Sequence, residues 1–304
     1  MTYDAVVAGA GPAGTMSARI LASRGYGIKV LEDDPVSGKP VQCAGLVSER
    51  VLGMSGVKPE VFGRFYGAEV IFPDGSSVIA RSRNVKAVAI DRGDFDRRMA
   101  DAAADAGAEF SYGSKYLSHE SGGDGVSVIS ASGTDRCRAV IGADGYGSRV
   151  ARSLSGNLPR EYVYGAQYDL KNKAGSQDIF RVRMGNGCAP GFFLWEIPCG
   201  DFTRVGLCVS AGKGYPFGYL NAMVRKFYPD SGIIARYGGK IPLGGRRTTY
   251  GERCLLIGDA AGQVKPVSGG GIYPSLVSAG ILADVLSDAL DSGDLSAGRL
   301  SRYE

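Results

Sequence analysis

Two glycine-rich segments, far apart in the sequence, hold the residues best suited to chemistry. In the first, residues 9–14 read Gly-Ala-Gly-Pro-Ala-Gly and follow the apolar run of residues 5–8. The glycines allow a tight turn close to a phosphate, and the helix predicted next points its N-terminal N–H groups at that charge. Glu32 ends a second short strand, where its carboxylate can accept hydrogen bonds from ribose hydroxyls. This pattern predicts a dinucleotide site, and the alternative is a tight strand-to-helix turn without a ligand.

The second segment is built in the same way. An apolar strand at residues 254–257 leads to Asp259 in a glycine-flanked turn, and Ser-Gly-Gly-Gly at residues 268–271 precedes a helix predicted to run to about Leu290. Two helix N-termini can face two separate parts of one extended cofactor. FAD suits this pattern better than NAD, with Glu32 on the adenosine ribose and the first helix on the pyrophosphate. Asp259 would then hold the ribityl hydroxyls, and the second helix would face the N1/O2 edge of the flavin.

Three further positions could contact such a cofactor, and each has a plainer interpretation. Cys43, followed by Ala44 and Gly45, could pass close to a planar ring, or it could be a small buried residue in a tight loop. Arg92, between a predicted strand and a predicted helix, could reach a diphosphate, or it could be an exposed arginine at a helix end. Asp144, in the Gly-Ala-Asp-Gly of residues 142–145, could turn the backbone past the cofactor or cap a helix.

An aromatic run lies in the middle of the chain. Residues 192–198 contain Phe193 and Trp195, which is the only tryptophan. The run could be a core strand, or it could line an apolar pocket for a hydrophobic substrate. Most of the surrounding signals, from Tyr162 to about Ile241, are typical of β-strands. Antiparallel strands inserted between two halves of a nucleotide fold usually form the wall that faces a substrate.

The remaining elements must place these residues together. We predict a hairpin at residues 68–81 with its turn at 72–75, a short helix around residues 46–52 and a helix from residue 91 to Gly107. The predicted fold class is α/β, with a Rossmann-type FAD-binding fold interleaved with a mostly antiparallel β domain that faces the substrate. The FAD-binding domain comprises residues 1–64, 85–155 and 245–304, and the β domain comprises residues 65–84 and 156–244.

Composition narrows the function classes. The net charge is +4, and no run of Lys and Arg exceeds two residues, so we expect no nucleic-acid partner. The six cysteines are scattered and His119 is the only histidine, so we expect no metal site and no histidine-based catalysis, and we interpret His119 as a surface or packing residue. There is no signal-peptide pattern and no apolar stretch long enough to span a membrane. These features favour a reducing cytoplasmic location.

The chain is similar to a known group of flavoproteins. Residues 9–14 with Glu32, residues 142–145 and residues 258–262 resemble, in order and spacing, the para-hydroxybenzoate hydroxylase-like flavoproteins. Within that group, residues 43–45, 91–96, 193–198 and 263–272 resemble the geranylgeranyl reductase family, especially archaeal digeranylgeranylglycerophospholipid reductases. The resemblance implies FAD contacts at Ala13, Glu32, Cys43, Ala44, Gly45, Arg92, Asp259, Gly271 and Ile272. The glycine-rich motifs add Gly9, Gly11, Pro12, Gly14 and Gly270 to the expected cofactor-binding residues.

The resemblance also implies a function. It implies an FAD-dependent reductase that saturates C=C bonds of geranylgeranyl chains in lipid biosynthesis, with hydride from reduced flavin. Cys43 is the candidate catalytic residue, placing or relaying a proton, and Phe193 and Trp195 would line the substrate pocket. The implied partners are a prenyl lipid or prenyl diphosphate substrate and a reduced electron donor, either a ferredoxin-like protein or NAD(P)H. A lipid substrate would also bring peripheral contact with a membrane surface.

Three alternatives stay open at this point. Residues 195–198 also resemble an aromatic motif of flavin-dependent halogenases, so a flavin-dependent monooxygenase or halogenase is one alternative. An electron-transfer flavoprotein that passes electrons to a quinone is a second. The family continues beyond the last predicted helix into a C-terminal domain, which we expect to be absent because the sequence ends at Glu304. A module that binds FAD without turnover is therefore the third.

Overall fold

The computed structural model describes residues 2–155, 161–172 and 175–304. The predicted domain segments 1–64 and 156–244 begin at residues that lie outside the described part of the chain. Numbered along the chain, the strands are β1 (Thr2–Ala8), β2 (Ile28–Leu31), β3 (Leu46–Val47), β4 (Val61–Phe65), β5 (Gly67–Ile71), β6 (Ser77–Arg81), β7 (Ala87–Ile90), β8 (Glu109–Ser111), β9 (Tyr116–Gly122), β10 (Gly125–Ser130), β11 (Gly133–Gly142), β12 (Tyr162–Leu170), β13 (Ile179–Met184), β14 (Phe193–Cys199), β15 (Phe202–Ser210), β16 (Ile233–Pro242), β17 (Tyr250–Gly251) and β18 (Cys254–Leu256). The helices are α1 (Pro12–Ser23), α2 (Glu49–Ser55), α3 (Arg92–Asp105), α4 (Arg149–Ser155), α5 (Pro216–Phe227), α6 (Ile272–Ser292) and α7 (Ala297–Leu300), with single 3-10 turns at Gly258–Ala261 and Ser301–Tyr303.

The first of three sheets carries the nucleotide-type fold. Its strand order is β17-β18-β11-β1-β2-β8, and β10 and β9 extend from β11. β1 pairs in parallel with β2 and β11, and β11 pairs in parallel with β18. Parallel strands are covered on both faces, which explains why residues 5–8 of β1 are a continuous apolar run and are fully buried. α1 and α6 pack against each other and against one face of this sheet, where the largest apolar core lies.

The second sheet is mostly antiparallel and has seven strands in the order β16-β12-β15-β14-β13-β5-β6. The predicted hairpin at residues 68–81 is present as β5 and β6, and β5 joins β13 in parallel, so the hairpin shares a sheet with the strands between residues 162 and 242. The third sheet, β3-β7-β4, is small. Its strand β7 leads directly into α3, so it places the start of that helix.

Two local predictions differ from the structure. The helical pattern around residues 46–52 is a two-residue strand, β3, followed by α2, because Leu46 and Val47 pair with β7 before the helix begins. The segment predicted to be mostly β also contains α5, which starts at Pro216 and buries Leu220 and Val224. Those side chains are one helical turn apart, so they share one face and pack on the sheet.

The two faces of the seven-stranded sheet have different neighbours. In β12, Ala166, Tyr168 and Leu170 pack under α5. Side chains alternate along a strand, so Gln167 and Asp169 point to the opposite face, which contacts the loop that follows β2 through Arg204. The candidate site lies on this second face.

Candidate functional site

The first glycine-rich turn connects β1 to α1 and is tightly packed on one side. Gly9 has a φ of 104°, and a Cβ built there would lie 2.8 Å from the backbone carbon of Ala143. A Cβ at Gly14 would overlap the carbonyl oxygen of Gly9. At Gly11, by contrast, a Cβ would meet no protein atom within 4 Å. Gly9 and Gly14 therefore close the turn, and Gly11 borders open space.

The helix that follows this turn has an open N-terminus. Gly11 is its N-cap and gives no side-chain hydrogen bond, Pro12 begins the helix, and the first turn has no acidic residue. The first N–H groups of a helix have no partner within it, so they remain available for an anion together with the positive end of the helix dipole. Ala13 is buried in this first turn. An anion-binding role for this end of α1 fits these features.

Glu32 follows β2 and lies against the same turn. Its Oε2 accepts a hydrogen bond from the backbone N–H of Ala10 at 2.6 Å, and its Oε1 accepts one from Asp34 at 3.1 Å. Burial raises the pKa of Glu32, and the two backbone N–H groups oppose that rise. The structure therefore brings the predicted ribose carboxylate to the edge of the predicted pyrophosphate turn.

The second glycine-rich segment meets the first in space. Gly258, with a φ of 66°, packs so closely on α1 that a Cβ there would lie 2.8 Å from the Cβ of Ala13. The next residue, Asp259, places its Oδ1 3.0 Å from the position of a Cβ at Gly271. Gly271 is the N-cap of α6, again without a side-chain hydrogen bond. The two helix N-termini, which are about 260 residues apart in the sequence, thus lie close together, and we call the surface between them, beside Asp259, the candidate cofactor groove.

The remaining residues of this segment complete the start of α6. The carbonyl of Gly270 accepts a hydrogen bond from the backbone N–H of Lys265 at 3.3 Å. Ile272, the first residue of the helix, packs with the buried cluster that includes Leu276. Burial raises the pKa of Asp259 to about 6, and the positive charge of Arg92 opposes this rise. The carboxyl group is therefore held in a desolvated position beside a cation.

Arg92 connects this groove to the cysteine loop. Its guanidinium donates to both carboxylate oxygens of Asp96, at 3.1 and 2.8 Å, and its side chain is only 13% exposed. Burial opposes the charge on Arg92, but Asp96 and the thiol of Cys43 outweigh burial and raise the pKa of Arg92. The alternative of an exposed arginine at a helix end is therefore wrong. Arg92 is a buried cation that contacts Cys43 and acts electrostatically on Asp259.

The cysteine loop lies between two arginines. Cys43 is partly buried, and its Sγ accepts a hydrogen bond from the backbone N–H of Gly45 at 3.4 Å. A Cβ on Gly45 would lie 3.3 Å from Cγ of Arg92 and 3.1 Å from Nη1 of Arg204. The carbonyl of Ala44 accepts a hydrogen bond from Arg204 at 2.9 Å. The loop is thus fixed between α3 and the seven-stranded sheet, with Cys43 partly buried in it.

The aromatic run forms a wall beside this loop. The rings of Phe193 and Trp195 make an edge contact at 6.2 Å between centroids, and Trp195 and Ala44 pack on the same buried cluster around Ile197. At the other end, the loop before α6 reaches the wall, because a Cβ at Gly269 would lie 3.5 Å from Cζ of Phe192. The wall therefore extends from the cysteine loop to the start of α6.

Sequence reasoning missed a buried polar group on the same face. Arg204 donates to both oxygens of Asp169, at 2.9 and 3.1 Å, and the hydroxyl of Tyr237 donates to Asp169 at 3.2 Å. Burial opposes the charge on Arg204, but Asp169 outweighs burial and raises the pKa of Arg204. These residues border a cavity of about 530 Å³ that also reaches Arg92 and Lys39. The sequence does mark this group in β12, where Gln167 and Asp169 alternate with apolar residues.

Two other candidates have structural roles. The carboxylate of Asp144 accepts hydrogen bonds from the hydroxyl of Ser148 and from the backbone N–H of Arg149, which is the helix-capping alternative. His119 lies in β9 and bonds to the hydroxyl of Tyr116, and burial lowers the pKa of its imidazole. Within the described residues, no group of three or more His, Cys, Asp or Glu side chains could hold a metal ion.

The groove fits FAD. Glu32 and the open space at Gly11 lie at the first helix start, Asp259 and Gly271 lie at the second, and neither helix start has a side-chain cap. These are the features expected for binding a ribose, a pyrophosphate, a ribityl chain and a flavin edge.

Comparisons with known proteins agree with this geometry. Residues 2–174 match the FAD binding domain family. The chain is 32% identical over 323 residues to digeranylgeranylglycerophospholipid reductase of Methanothrix thermoacetophila, covering 100% of this chain and 82% of the relative. A geranylgeranyl bacteriochlorophyll reductase-like protein from Thermoplasma acidophilum has a TM-score of 0.91 and 25% identity, covering 99% of this chain and 82% of that one. The halogenase PltM in complex with phloroglucinol and FAD has a TM-score of 0.79 at 17% identity, covering 99% and 73% of the two chains, which shows a common fold alone.

These results confirm the predicted α/β fold class, the FAD cofactor and the resemblance to geranylgeranyl reductases. The family match covers more than half of the chain, and the reductase relative aligns along all of it. The chain therefore belongs to the FAD binding domain family and, within it, to the digeranylgeranylglycerophospholipid reductases.

Proposed function

We propose that this protein saturates C=C bonds in the isoprenoid chains of a digeranylgeranylglycerophospholipid or a related prenyl compound. The observation that carries the proposal is the aromatic wall beside the cysteine loop. The rings of Phe193 and Trp195 contact each other, Trp195 packs with Ala44 on the cluster around Ile197, and the only histidine lies in β9, outside this group. An aromatic surface suits a hydrocarbon substrate.

The chemistry divides between the cofactor and the chain. FAD, when bound and reduced, supplies a hydride. The second hydrogen of a saturated bond must arrive as a proton at the other alkene carbon, so each bond gains one hydride and one proton. Cys43 is the proposed residue that holds this proton at Sγ, where Arg92 and the N–H of Gly45 fix its position. Phe193 and Trp195 would orient the isoprenoid chain and exclude water.

The cofactor contacts remain part of the proposal. The turn between β1 and α1 would hold the pyrophosphate, Glu32 the adenosine ribose, and Asp259 the ribityl hydroxyls. Arg92, already paired with Asp96, would add a positive charge near the groove. The full proposed set is Gly9, Gly11, Pro12, Ala13, Gly14, Glu32, Cys43, Ala44, Gly45, Arg92, Asp259, Gly270, Gly271 and Ile272.

The electron donor and the location follow from the substrate class. Reduction of FAD requires an electron donor, and we propose either a ferredoxin-like protein or NAD(P)H. No described helix is long and apolar enough to cross a membrane. We propose a cytoplasmic protein that meets its lipid substrate by peripheral contact with a membrane surface.

Product mass tests the proposal directly. FAD-loaded protein, reduced anaerobically with dithionite, is incubated with digeranylgeranylglycerophospholipid, and the lipid is analysed by mass spectrometry. We expect mass gains of about two hydrogens per saturated bond, since each bond receives one hydride and one proton. In deuterated water, both added hydrogens should be deuterium, because dithionite supplies only electrons and reduced flavin takes its transferable hydrogen from the solvent.

Two results would decide against the proposal. The first is bound, reducible flavin with unchanged lipid. The second is oxygen-dependent modification of an aromatic substrate, which would favour a monooxygenase or halogenase. Unreduced FAD-loaded protein is the matched control and should leave the lipid unchanged.

A further inference from the structure

Gln167 is a buried polar side chain on the site-facing side of the seven-stranded sheet. It is 4% exposed, and it lies two residues before Asp169, whose partner Arg204 reaches the cysteine loop. Its Oε1 accepts a hydrogen bond from the indole Nε1 of Trp195 at 3.1 Å. Trp195 belongs to the wall that the proposed function assigns to the isoprenoid chain, so the inference below rests on that function.

The orientation of the Gln167 amide follows from this bond. Indole Nε1–H is only a donor, so the amide must turn its oxygen towards Trp195, and its NH₂ group points elsewhere. The NH₂ nitrogen is buried and has no hydrogen-bond partner within the described residues. An unpaired buried donor costs free energy, and a leucine or methionine would fill the same space without that cost. A side chain used only for packing would not need an amide here.

The backbone of Gly206 leaves room for the indole of Trp195 on the sheet. Gly206 of β15 is paired with both Gln167 and Trp195 across neighbouring strands. A Cβ on Gly206 would lie 2.5 Å from Cε2 and 2.7 Å from Nε1 of the indole. The ring therefore lies directly on the backbone of β15 and ends at the Gln167 amide.

We propose that Gln167 and Gly206 are positioning residues for Trp195. Gly206 lets the indole lie flat on the sheet, and Gln167 holds its N–H end in place. Together they set the shape of the aromatic wall that an isoprenoid chain would contact. Neither residue needs to touch the substrate or the cofactor for this role.

The single tryptophan makes the proposal testable without substrate. In FAD-loaded protein with ¹⁵N-labelled tryptophan, the indole N–H gives one NMR cross-peak. We expect Q167L to move this peak upfield and to speed its exchange with solvent about fivefold, the effect of losing one neutral hydrogen bond. Q167E keeps an oxygen acceptor in the same place and should retain the shift and the protection. G206A should also move the peak, because its methyl group would displace the ring.

Y168F is the matched control, since Tyr168 is the next residue in β12 but faces α5 and bonds to Asn221. It loses one hydrogen bond and should leave the indole peak unchanged.

With lipid substrate, we expect Q167L to raise KM about fivefold with kcat within twofold, and Y168F to change neither. An indole peak in Q167L that matches the wild-type peak would overturn the positioning role, and a moved peak with unchanged KM would overturn its effect on the substrate. If the wild-type protein saturates no lipid, the proposed function fails, but the NMR result still decides whether Gln167 positions Trp195.

Discussion

Replacement of Asp259 by Asn is expected to change how the stability of the protein depends on pH. Burial raises the pKa of Asp259 from 3.8 to about 6, although Arg92 opposes the rise. A carboxyl group with a raised pKa in the folded state is protonated in the folded chain at pH values where it is ionised in the unfolded chain. The folded state then binds more protons, so the free energy of unfolding falls as the pH rises from about 4 to about 6.

The magnitude follows from the size of the shift. A difference of roughly two pKa units corresponds to about 3 kcal/mol, and all of it is lost once the pH exceeds the folded-state pKa. Asn cannot ionise, so D259N lacks this loss. The stability of D259N relative to the wild-type protein should therefore rise by about 2–3 kcal/mol between pH 4 and pH 7, since a small part of the loss has already occurred at pH 4.

Urea unfolding of FAD-free protein at several pH values between 4 and 7 measures this difference. D201N, which replaces an exposed carboxylate in the turn between β14 and β15, is the matched control and should show no such rise. A constant difference between D259N and the wild-type protein across this range would refute the argument that Asp259 is desolvated by the fold. A difference that falls with increasing pH would mean that Arg92 outweighs burial.

Three further predictions test other parts of the site. G11A should leave the urea midpoint of the FAD-free protein equal to that of the wild-type protein, since a methyl group there meets no protein atom, but it should weaken FAD binding at least tenfold in a flavin titration. The methyl group of G14A would overlap the Gly9 carbonyl, so G14A should also lower the free energy of unfolding by about 1–3 kcal/mol. R204M would leave Asp169 buried without its partner and should cost about 3–5 kcal/mol in urea unfolding, most of which R204M/D169L should recover. C43A should slow lipid saturation about 100-fold with flavin reduction by dithionite unchanged, and equal rates for C43A and the wild-type protein would exclude Cys43 as the proton source.

Much of the fold could be predicted because its signals are local. The apolar run before Gly9, the helix after it and the similar order around Asp259 depend on neighbouring residues, so both helix starts were identified correctly. Asp91 was placed correctly at the strand-to-helix junction for the same reason, and its side chain caps α3. Boundaries were predicted less well where pairing with another strand determines them. At β3, two residues form a strand only because β7 lies beside them.

The site was only partly predictable, because its less obvious members depend on distant partners. The sequence marks Arg92 as a junction residue, but its burial comes from Asp96 and from a cysteine loop almost 50 residues earlier. Arg204, Asp169 and Gln167 lie in two strands that are paired across more than 30 residues, and only their alternation with apolar residues hinted at a polar face.

The sequence alone therefore determined the cofactor class, the two glycine-rich helix starts and the family, since each of these rests on residue types at short fixed spacings. Tertiary structure alone decided which face of the second sheet contacts the cysteine loop, how the indole of Trp195 lies on Gly206, and that the carboxyl group of Asp259 is desolvated. Those properties depend on the packing of segments that are far apart in the chain, and no local spacing records such packing.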